Sequence, residues 1–176
     1  SEAEFIIFKR YTSAQNWYVF VKINNVWHYI EGLNTTGTAI NYSASMSATS
    51  TTVNLPSSTG FNQDTNSSYL AYCFHSVDGY QKVGSYEGTG GNQTISVGFQ
   101  PRFVMIKRAT GGSLNGWVMS DYQRGSGINL FANSSGIESD ESAYGPTSFT
   151  SDGFTLAQAG GNTNVSGSIY IYLAIA

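Results

Sequence analysis

The sequence of 176 residues is poor in several features that define common protein classes. It contains one cysteine and three prolines, and only 11% of its residues are charged. A single cysteine excludes an intrachain disulfide framework and a cysteine-based metal cage. Eight basic residues against eleven acidic ones provide no positive surface for a phosphate backbone, so nucleic acid is not an expected partner. No apolar run approaches the roughly 20 residues of a membrane helix, so membrane insertion is not expected either.

Small polar and aromatic residues dominate instead. Ser, Thr and Asn occupy 54 positions, Gly occupies 20, and aromatic residues make up 14% of the chain. Ser, Thr, Asn and Gly disfavour helices, whereas aromatic and β-branched residues favour strands. Because 40% of the residues are hydrophobic and the net charge is only -3, the chain is expected to fold rather than to be disordered. The composition therefore predicts an all-β protein.

Alternating apolar residues predict many short strands. Residues 16–24 are apolar on both strand faces, and Asn24-Asn25 then predicts a hairpin turn because Asn tolerates positive φ. Further strands are predicted at 5–10, 26–30, 69–75, 80–86, 94–99, 103–107, 116–120, 154–157 and 169–175. Short strands separated by Gly-rich and Asn-rich turns indicate an antiparallel β-sandwich, jelly-roll-like in type. Cys73, inside one of these strands, is predicted to be buried.

The chain also matches itself at four places that occur in the same order. The matches join 5–10 with 103–108, Trp17 with Trp117, 59–61 with 152–154, and the Tyr-Leu-Ala run at Tyr69 with the one at Tyr172. They predict two diverged copies of one strand unit: copy one at about 4–74, connecting strands at 75–101, and copy two at about 102–176. A copy of about 70 residues would form only a marginal core by itself, so we predict that both copies share one domain over residues 1–176.

Several motifs in the second half follow one another in a recognisable order: 98–108, Trp117, Asp121, Arg124-Gly125, 149–156 and 167–175. With these motifs, and with residues 69–75 before them, the chain resembles structural proteins of tailed bacteriophages, notably tail-fibre and virion-surface proteins of aquatic phages. The resemblance extends from about residue 69 to the end of the chain. It implies a non-enzymatic tail-fibre, tail-associated or capsid decoration domain on the virion surface or outside the cell. Its expected partners are other virion subunits in a homo-oligomer, and its expected roles are assembly and host-surface adhesion.

No motif for catalysis or for a cofactor stands out. The two histidines, His28 and His75, have no partners at metal-ligand spacing, and neither a Gly-x-Ser-x-Gly elbow nor a phosphate-binding loop occurs. The acidic run at 138–141 could offer oxygen ligands to calcium, but it lacks the spacing of a calcium loop, so a solvated loop is the preferred interpretation. No catalytic residue, metal or cofactor is therefore predicted.

The candidate binding residues combine aromatic, amide and charged groups of the second copy: Trp117, Asp121, Tyr122, Arg124, Asn129, Asp140 and Glu141. Aromatic rings stack on sugars and planar polar groups bond their hydroxyls, so a carbohydrate-binding module, lectin-like in type and bound to a host-surface glycan, is one alternative. For Asp121 and Arg124, a turn closed by a charge-assisted hydrogen bond is the preferred interpretation. Another alternative is the subunit of an extracellular filament, because the apolar strand at 169–176 would permit strand addition.

Overall fold

The computed structural model of the protein describes residues 1–30, 32–41, 46–55, 62, 66–111, 116–140, 144–157 and 162–176, with residues 40 and 41 as backbone only. Within these ranges no helix is long and apolar enough to cross a membrane. Sixteen strands are described: β1 (Phe5–Arg10), β2 (Trp17–Ile23), β3 (Val26–Ile30), β4 (Ala39–Asn41), β5 (Ser47–Ala48), β6 (Val53–Asn54), β7 (Tyr69–Phe74), β8 (Gln81–Glu87), β9 (Gln93–Ser96), β10 (Phe103–Arg108), β11 (Val118–Asp121), β12 (Ile128–Phe131), β13 (Ser139–Asp140), β14 (Pro146–Phe149), β15 (Gly153–Leu156) and β16 (Ile169–Ile175).

Two large antiparallel sheets share one strand order. The first sheet runs β4-β3-β2-β1-β7, and the second runs β13-β12-β11-β10-β16-β8. In each sheet successive strands lie side by side, and a later strand returns to pair with the first one, which is a Greek-key arrangement. Sandwiches and jelly rolls are built from such units. The predicted antiparallel β-sandwich is confirmed.

The strand registers place two tryptophans at equivalent positions of the two sheets. Lys9 of β1 pairs with Trp17 of β2. Ile106 of β10 pairs with Val118 of β11, so continuing this register by one residue places Lys107 opposite Trp117. The sequence match between the two tryptophans therefore agrees with their places in the sheets. The match made with residues 59–61 lies outside the described residues.

The returning strands give a different alignment from the sequence. Arg10 pairs with Tyr69 in the first sheet, and Arg108 pairs with Tyr170 in the second. Tyr69 thus occupies the sheet position of Tyr170, two residues before the match drawn at Tyr172. The match at Tyr172 is therefore out of register by two residues. Side chains of a strand alternate with a period of two, so a shift by two residues keeps the same residues on the same face and the repeated Tyr-Leu-Ala run still matches.

The inner faces of the two large sheets pack on each other. Phe5 of β1 and Trp117 are both fully buried, and their rings meet edge to face with centroids 6.0 Å apart and an interplanar angle of 88°. Buried side chains of both sheets complete this shared core: Val19, Val21, Ile23, Ile30, Val83, Met105, Ile171 and Leu173. Because the core draws on both sheets, neither sheet could keep its inner face out of water alone.

Each large sheet also covers its outer face. Phe20 of the first sheet packs with Met46 beside the β5–β6 hairpin. Tyr170 of the second sheet packs with Phe154 of a three-stranded sheet ordered β14-β15-β9. Burial on both faces explains why residues 17–23 are apolar on both sides in the sequence.

The segment 32–39 joins the first half to the second by hydrogen bonds. The Trp117 Nε1–H donates to the Gly32 carbonyl oxygen at 3.1 Å, and the Lys107 ammonium donates to the Thr36 carbonyl oxygen at 3.2 Å. Burial, assisted by the neighbouring arginine, lowers the pKa of Lys107 to about 8. Because a buried ammonium needs such acceptors, this contact fixes the position of the segment on the second sheet.

Every predicted strand has a counterpart in the structure, and Asn24 and Asn25 do have positive φ, at 51° and 64°. The unpredicted strands are β4, β5, β6, β12, β13 and β14, each only two to four residues long. A segment of two to four residues contains too few alternations of apolar and polar side chains to reveal the two-residue period of a strand.

Two expectations about particular strands need correction. Cys73 is exposed, not buried, because β7 lies at the edge of the first sheet and its middle residues face solvent. The C-terminal strand β16 pairs with β10 on one side and with β8 on the other. Both of its edges are therefore occupied, and strand addition there would require displacement of a neighbour.

The two equivalent tryptophans should differ sharply in their effect on stability. We expect Trp117→Ala to lower the free energy of unfolding by about 3–5 kcal/mol, because it empties the shared core. Trp17→Ala should cost less than about 1 kcal/mol, because its ring is partly exposed. Urea unfolding followed by circular dichroism measures both values. Equal losses would contradict the role given to Trp117 between the sheets.

Candidate functional site

Trp117 belongs to the core and is unable to contact a ligand in this structure. Its side chain is fully buried, and its Nε1–H is bonded to Gly32. Its backbone N–H donates to Asn133 Oδ1 at 3.0 Å. Trp117 is therefore removed from the candidate binding residues, because its ring packs between the two sheets.

Asn129 is likewise fully buried. Its Oδ1 accepts a hydrogen bond from the Ser120 hydroxyl at 2.5 Å, and its Nδ2 donates to the Gly127 carbonyl oxygen at 2.7 Å. A Cβ on Gly145 would lie 2.0 Å from Asn129 Oδ1, so only glycine leaves room for this amide. Asn129 is therefore also removed from the candidate binding residues, because its polar atoms form hydrogen bonds inside the protein.

Asp121 and Arg124 close the turn that follows β11. The Arg124 backbone N–H donates to Asp121 Oδ1 at 2.8 Å, and its Nε–H donates to Oδ2 at 2.5 Å. Burial alone would raise the pKa of Asp121, but the hydrogen bonds and charge of Arg124 outweigh it and bring the pKa below its usual value. The predicted charge-assisted bond is confirmed, and it orders the loop that carries Tyr122.

Tyr122 is the accessible aromatic residue of this loop, with 41% of its surface exposed. The Arg102 guanidinium lies 4.7 Å from the centre of its ring, within the range of a cation–π contact. Phe149 supports the ring edge to face at 6.2 Å. One face of Tyr122 is thus occupied by protein groups, which leaves it less free to stack on a ligand.

Asp140 lies on the short edge strand β13, where it pairs with Ile128 and is exposed. Extending the pairing of β11 with β12 by one residue places Asp121 opposite the same Ile128. The structure thus brings Asp121 and Asp140 to one end of the second sheet. Glu141 lies outside the described residues. Among the described residues, no cluster of three or more His, Cys, Asp or Glu side chains could hold a metal ion.

The first half contains an exposed aromatic pair that the sequence did not single out. Trp17 and Tyr72 lie nearly parallel, with ring centroids 6.5 Å apart and an interplanar angle of 24°. They are 37% and 45% exposed. The Lys9 ammonium lies 5.6 Å from the centre of the Trp17 ring. These two rings, called the aromatic pair below, form an apolar surface in contact with solvent.

A cleft of about 280 Å³ opens beside the aromatic pair and is lined by Trp17, Leu33, Asn34 and Ala132. The Asn34 Oδ1 accepts a hydrogen bond from the Trp17 backbone N–H at 3.1 Å. Its Nδ2 donates to Asn16 Oδ1 at 2.9 Å. The indole of Trp17 and the amide of Asn34 therefore both line the cleft, and the hydrogen bond to Asn16 holds that amide in place. In the sequence, this cleft is indicated only by Trp17 following the two amide residues Gln15 and Asn16.

Among the described strands, β7 is a free edge of the first sheet, and it carries Tyr72 of the aromatic pair. It pairs with β1 in an uninterrupted register from Tyr69 to Phe74, and it is the last strand of its sheet. Its sequence, YLAYCF, contains no charge and no proline, and Leu70 is 45% exposed. This edge thus lacks the charge, the proline and the bulge that commonly protect an edge strand from pairing with another strand.

Comparison with known proteins gives a family without an assigned role. A family model described as "Domain of unknown function (DUF7483)" matches residues 1–176, so the chain belongs to this family. Neither a curated protein nor a solved structure matches the chain. The site must therefore be interpreted from its own geometry.

Removing the Asp121 carboxylate should cost stability only where that group is ionised. We expect Asp121→Asn to lower the free energy of unfolding at pH 7 by about 1 kcal/mol or less, since the ion pair is partly solvated. A lowered pKa makes the carboxylate's contribution present above the unfolded-state pKa and lost as the pH falls through the folded-state pKa. Thermal melts between about pH 7 and pH 2 should therefore show the two proteins converging on acidification. A constant difference would contradict this assignment.

Proposed function

We propose that this member of the DUF7483 family is a non-enzymatic structural domain of a bacteriophage virion, in a tail fibre, a tail-associated protein or a capsid decoration. It works at the virion surface or outside the cell, through assembly with other subunits and adhesion to the host. The observation that carries this proposal is the free, uncharged edge of β7. A surface of this kind favours contacts between protein chains over chemistry on a small substrate.

A comparison of the two large sheets supports an assembly role for this edge. In the second sheet the returning strand β16 is covered by β8 over seven paired residues. In the first sheet no strand within the described ranges pairs with the returning strand β7 on that side. The fold thus already accepts an additional strand at this position. A second copy of the chain is the occupant we propose, because two β7 edges carry no like charges that would repel one another.

Two diverged copies of one strand unit form part of the same proposal. The shared sheet order and the equivalent positions of Trp17 and Trp117 support it. Duplication would explain why a covered edge in one half corresponds to a free edge in the other. The domain itself is proposed as one unit over residues 1–176, supported by the core that both halves share.

The virion location is supported by the sequence resemblance to phage structural proteins. Its motif at 98–108 begins at the tight turn of Gly98, with φ at 88°, and continues into the buried strand β10. These residues therefore serve the fold, and the resemblance supplies the setting rather than a reaction. The alternative of an extracellular filament would use the same β7 edge.

A carbohydrate-binding module is the second candidate function. The observation that favours it is the half-exposed aromatic pair, because exposed aromatic rings beside amides are typical of sugar-binding surfaces. Of the residues first considered for binding, Tyr122, Arg124 and Asp140 keep accessible groups and remain candidates for a separate surface.

The virion assignment predicts that the chain is a component of particles. Mass spectrometry of gradient-purified particles from a phage that encodes this chain should detect it at a constant ratio to the major capsid protein. Detection of the chain only as a free product in the lysate would contradict the proposal.

The assembly role predicts that a charge on the β7 edge disrupts oligomers. Leu70→Lys places an ammonium on that edge, so we expect the molar mass from size-exclusion chromatography with light scattering to fall to that of a monomer. Ile137→Lys is the matched control, because Ile137 is an exposed aliphatic residue away from β7. A monomeric unmodified chain, or equal effects of both substitutions, would count against assembly through this edge.

A further inference from the structure

The aromatic pair is an exposed apolar surface of the first sheet. Trp117, at the equivalent position of the second sheet, is fully buried and bonded through its indole N–H. Trp17 leaves more than a third of its surface in water, although its ring stacks on Tyr72 and the Lys9 ammonium lies 5.6 Å from its centre. Water contact with two large rings is unfavourable for folding. Exposed apolar patches of this kind more often mark a binding surface.

The groups around the aromatic pair determine which ligand it suits. Asn34 and Asn16 present amides that can both donate and accept hydrogen bonds. Lys9 is the charged residue in contact with the Trp17 ring, and its ammonium already donates to the Gln15 carbonyl oxygen. The cleft lining itself is composed of Trp17, Leu33, Asn34 and Ala132, which are all uncharged. A ligand with apolar C–H faces and hydroxyl groups, but without charge, fits this combination.

We infer that the cleft beside the aromatic pair binds a neutral saccharide. One sugar ring would pack on the part of the Trp17 indole that lines the cleft, an adjacent ring would contact Tyr72, and the Asn34 amide would bond their hydroxyls. The volume of about 280 Å³ accommodates part of an oligosaccharide, with the remainder on the open surface. This inference rests on the adhesion part of the proposed function, and it moves recognition from the second half of the chain to the first.

The distribution of tryptophans gives a direct measurement of binding. Trp17 is 37% exposed, whereas Trp27 is 5% and Trp117 is 0% exposed. Acrylamide quenching of tryptophan fluorescence therefore reports mainly on Trp17. We expect neutral hexasaccharides of glucose, N-acetylglucosamine, galactose or mannose, tested one by one, to include at least one that protects the fluorescence. The protein should also bind that same sugar when the sugar is immobilised on an array.

Variants of the aromatic pair test the site itself. Trp17→Ala should abolish array binding, and Tyr72→Ala should weaken it about tenfold, from the loss of one stacked ring. Tyr72→Phe keeps the ring and should bind as the unmodified chain does. Tyr80→Ala, which removes an exposed aromatic residue outside both candidate surfaces, is the matched control and should leave binding unchanged. Tyr122→Ala tests the separate candidate surface of the second half.

Three results would overturn the inference. They are absence of binding to every hexasaccharide by the folded chain, unchanged binding by Trp17→Ala with a native circular dichroism spectrum, and loss of binding by Tyr122→Ala instead. Presence in particles and molar mass are measured separately from sugar binding. Failure of the saccharide site would therefore leave the assembly role standing, and a chain that binds sugar but is absent from particles would refute only the virion assignment.

Discussion

The contact between the inner faces of the two large sheets is the interaction on which the rest of the structure depends. Phe5 and Trp117 meet at its centre, and aliphatic residues of both sheets surround them. With one cysteine, disulfide bonds within the chain are excluded, so this apolar burial has to supply most of the stability. It also fixes the segment 32–39, whose carbonyl oxygens accept hydrogen bonds from the second sheet.

The same packing decides which surfaces remain available. The second sheet covers the inner face of the first around Phe5, while Trp17 and Tyr72 keep much of their surface in water. At the sheet edge, β8 covers β16 but no strand of the described chain covers β7. In the described chain the first sheet therefore has an unpaired edge at β7, and Tyr72 of the aromatic pair lies on that edge strand. Assembly and adhesion can use adjacent parts of the first half, because pairing uses backbone groups and sugar stacking uses side chains.

The second half illustrates how a recognition-like set of residues can serve the fold. Trp117 and Asn129 have the ring and the amide of a sugar site, yet both are fully buried with their polar atoms bonded. Asp121 and Arg124 use their charges on each other to close a turn. Tyr122 keeps an exposed ring, but Arg102 and Phe149 already contact it. Residue type and sequence proximity do not distinguish a binding group from a structural one, because burial depends on distant segments.

The sequence by itself determined the all-β class, the positions of the longer strands and the hairpin at Asn24-Asn25, because these depend on local alternation and on backbone preferences. Only the tertiary structure decided which apolar residues are exposed. Cys73 and Trp17 lie in strands that are as apolar as the core strands. Yet Cys73 is exposed on β7, which is the edge of the first sheet among the described strands, and Trp17 is partly exposed at the first residue of β2. Trp117, with similar chemistry, is buried because the first sheet packs over it through Phe5. A strand's alternation fixes which side chains share a face, but what covers that face is decided by residues far away in the chain.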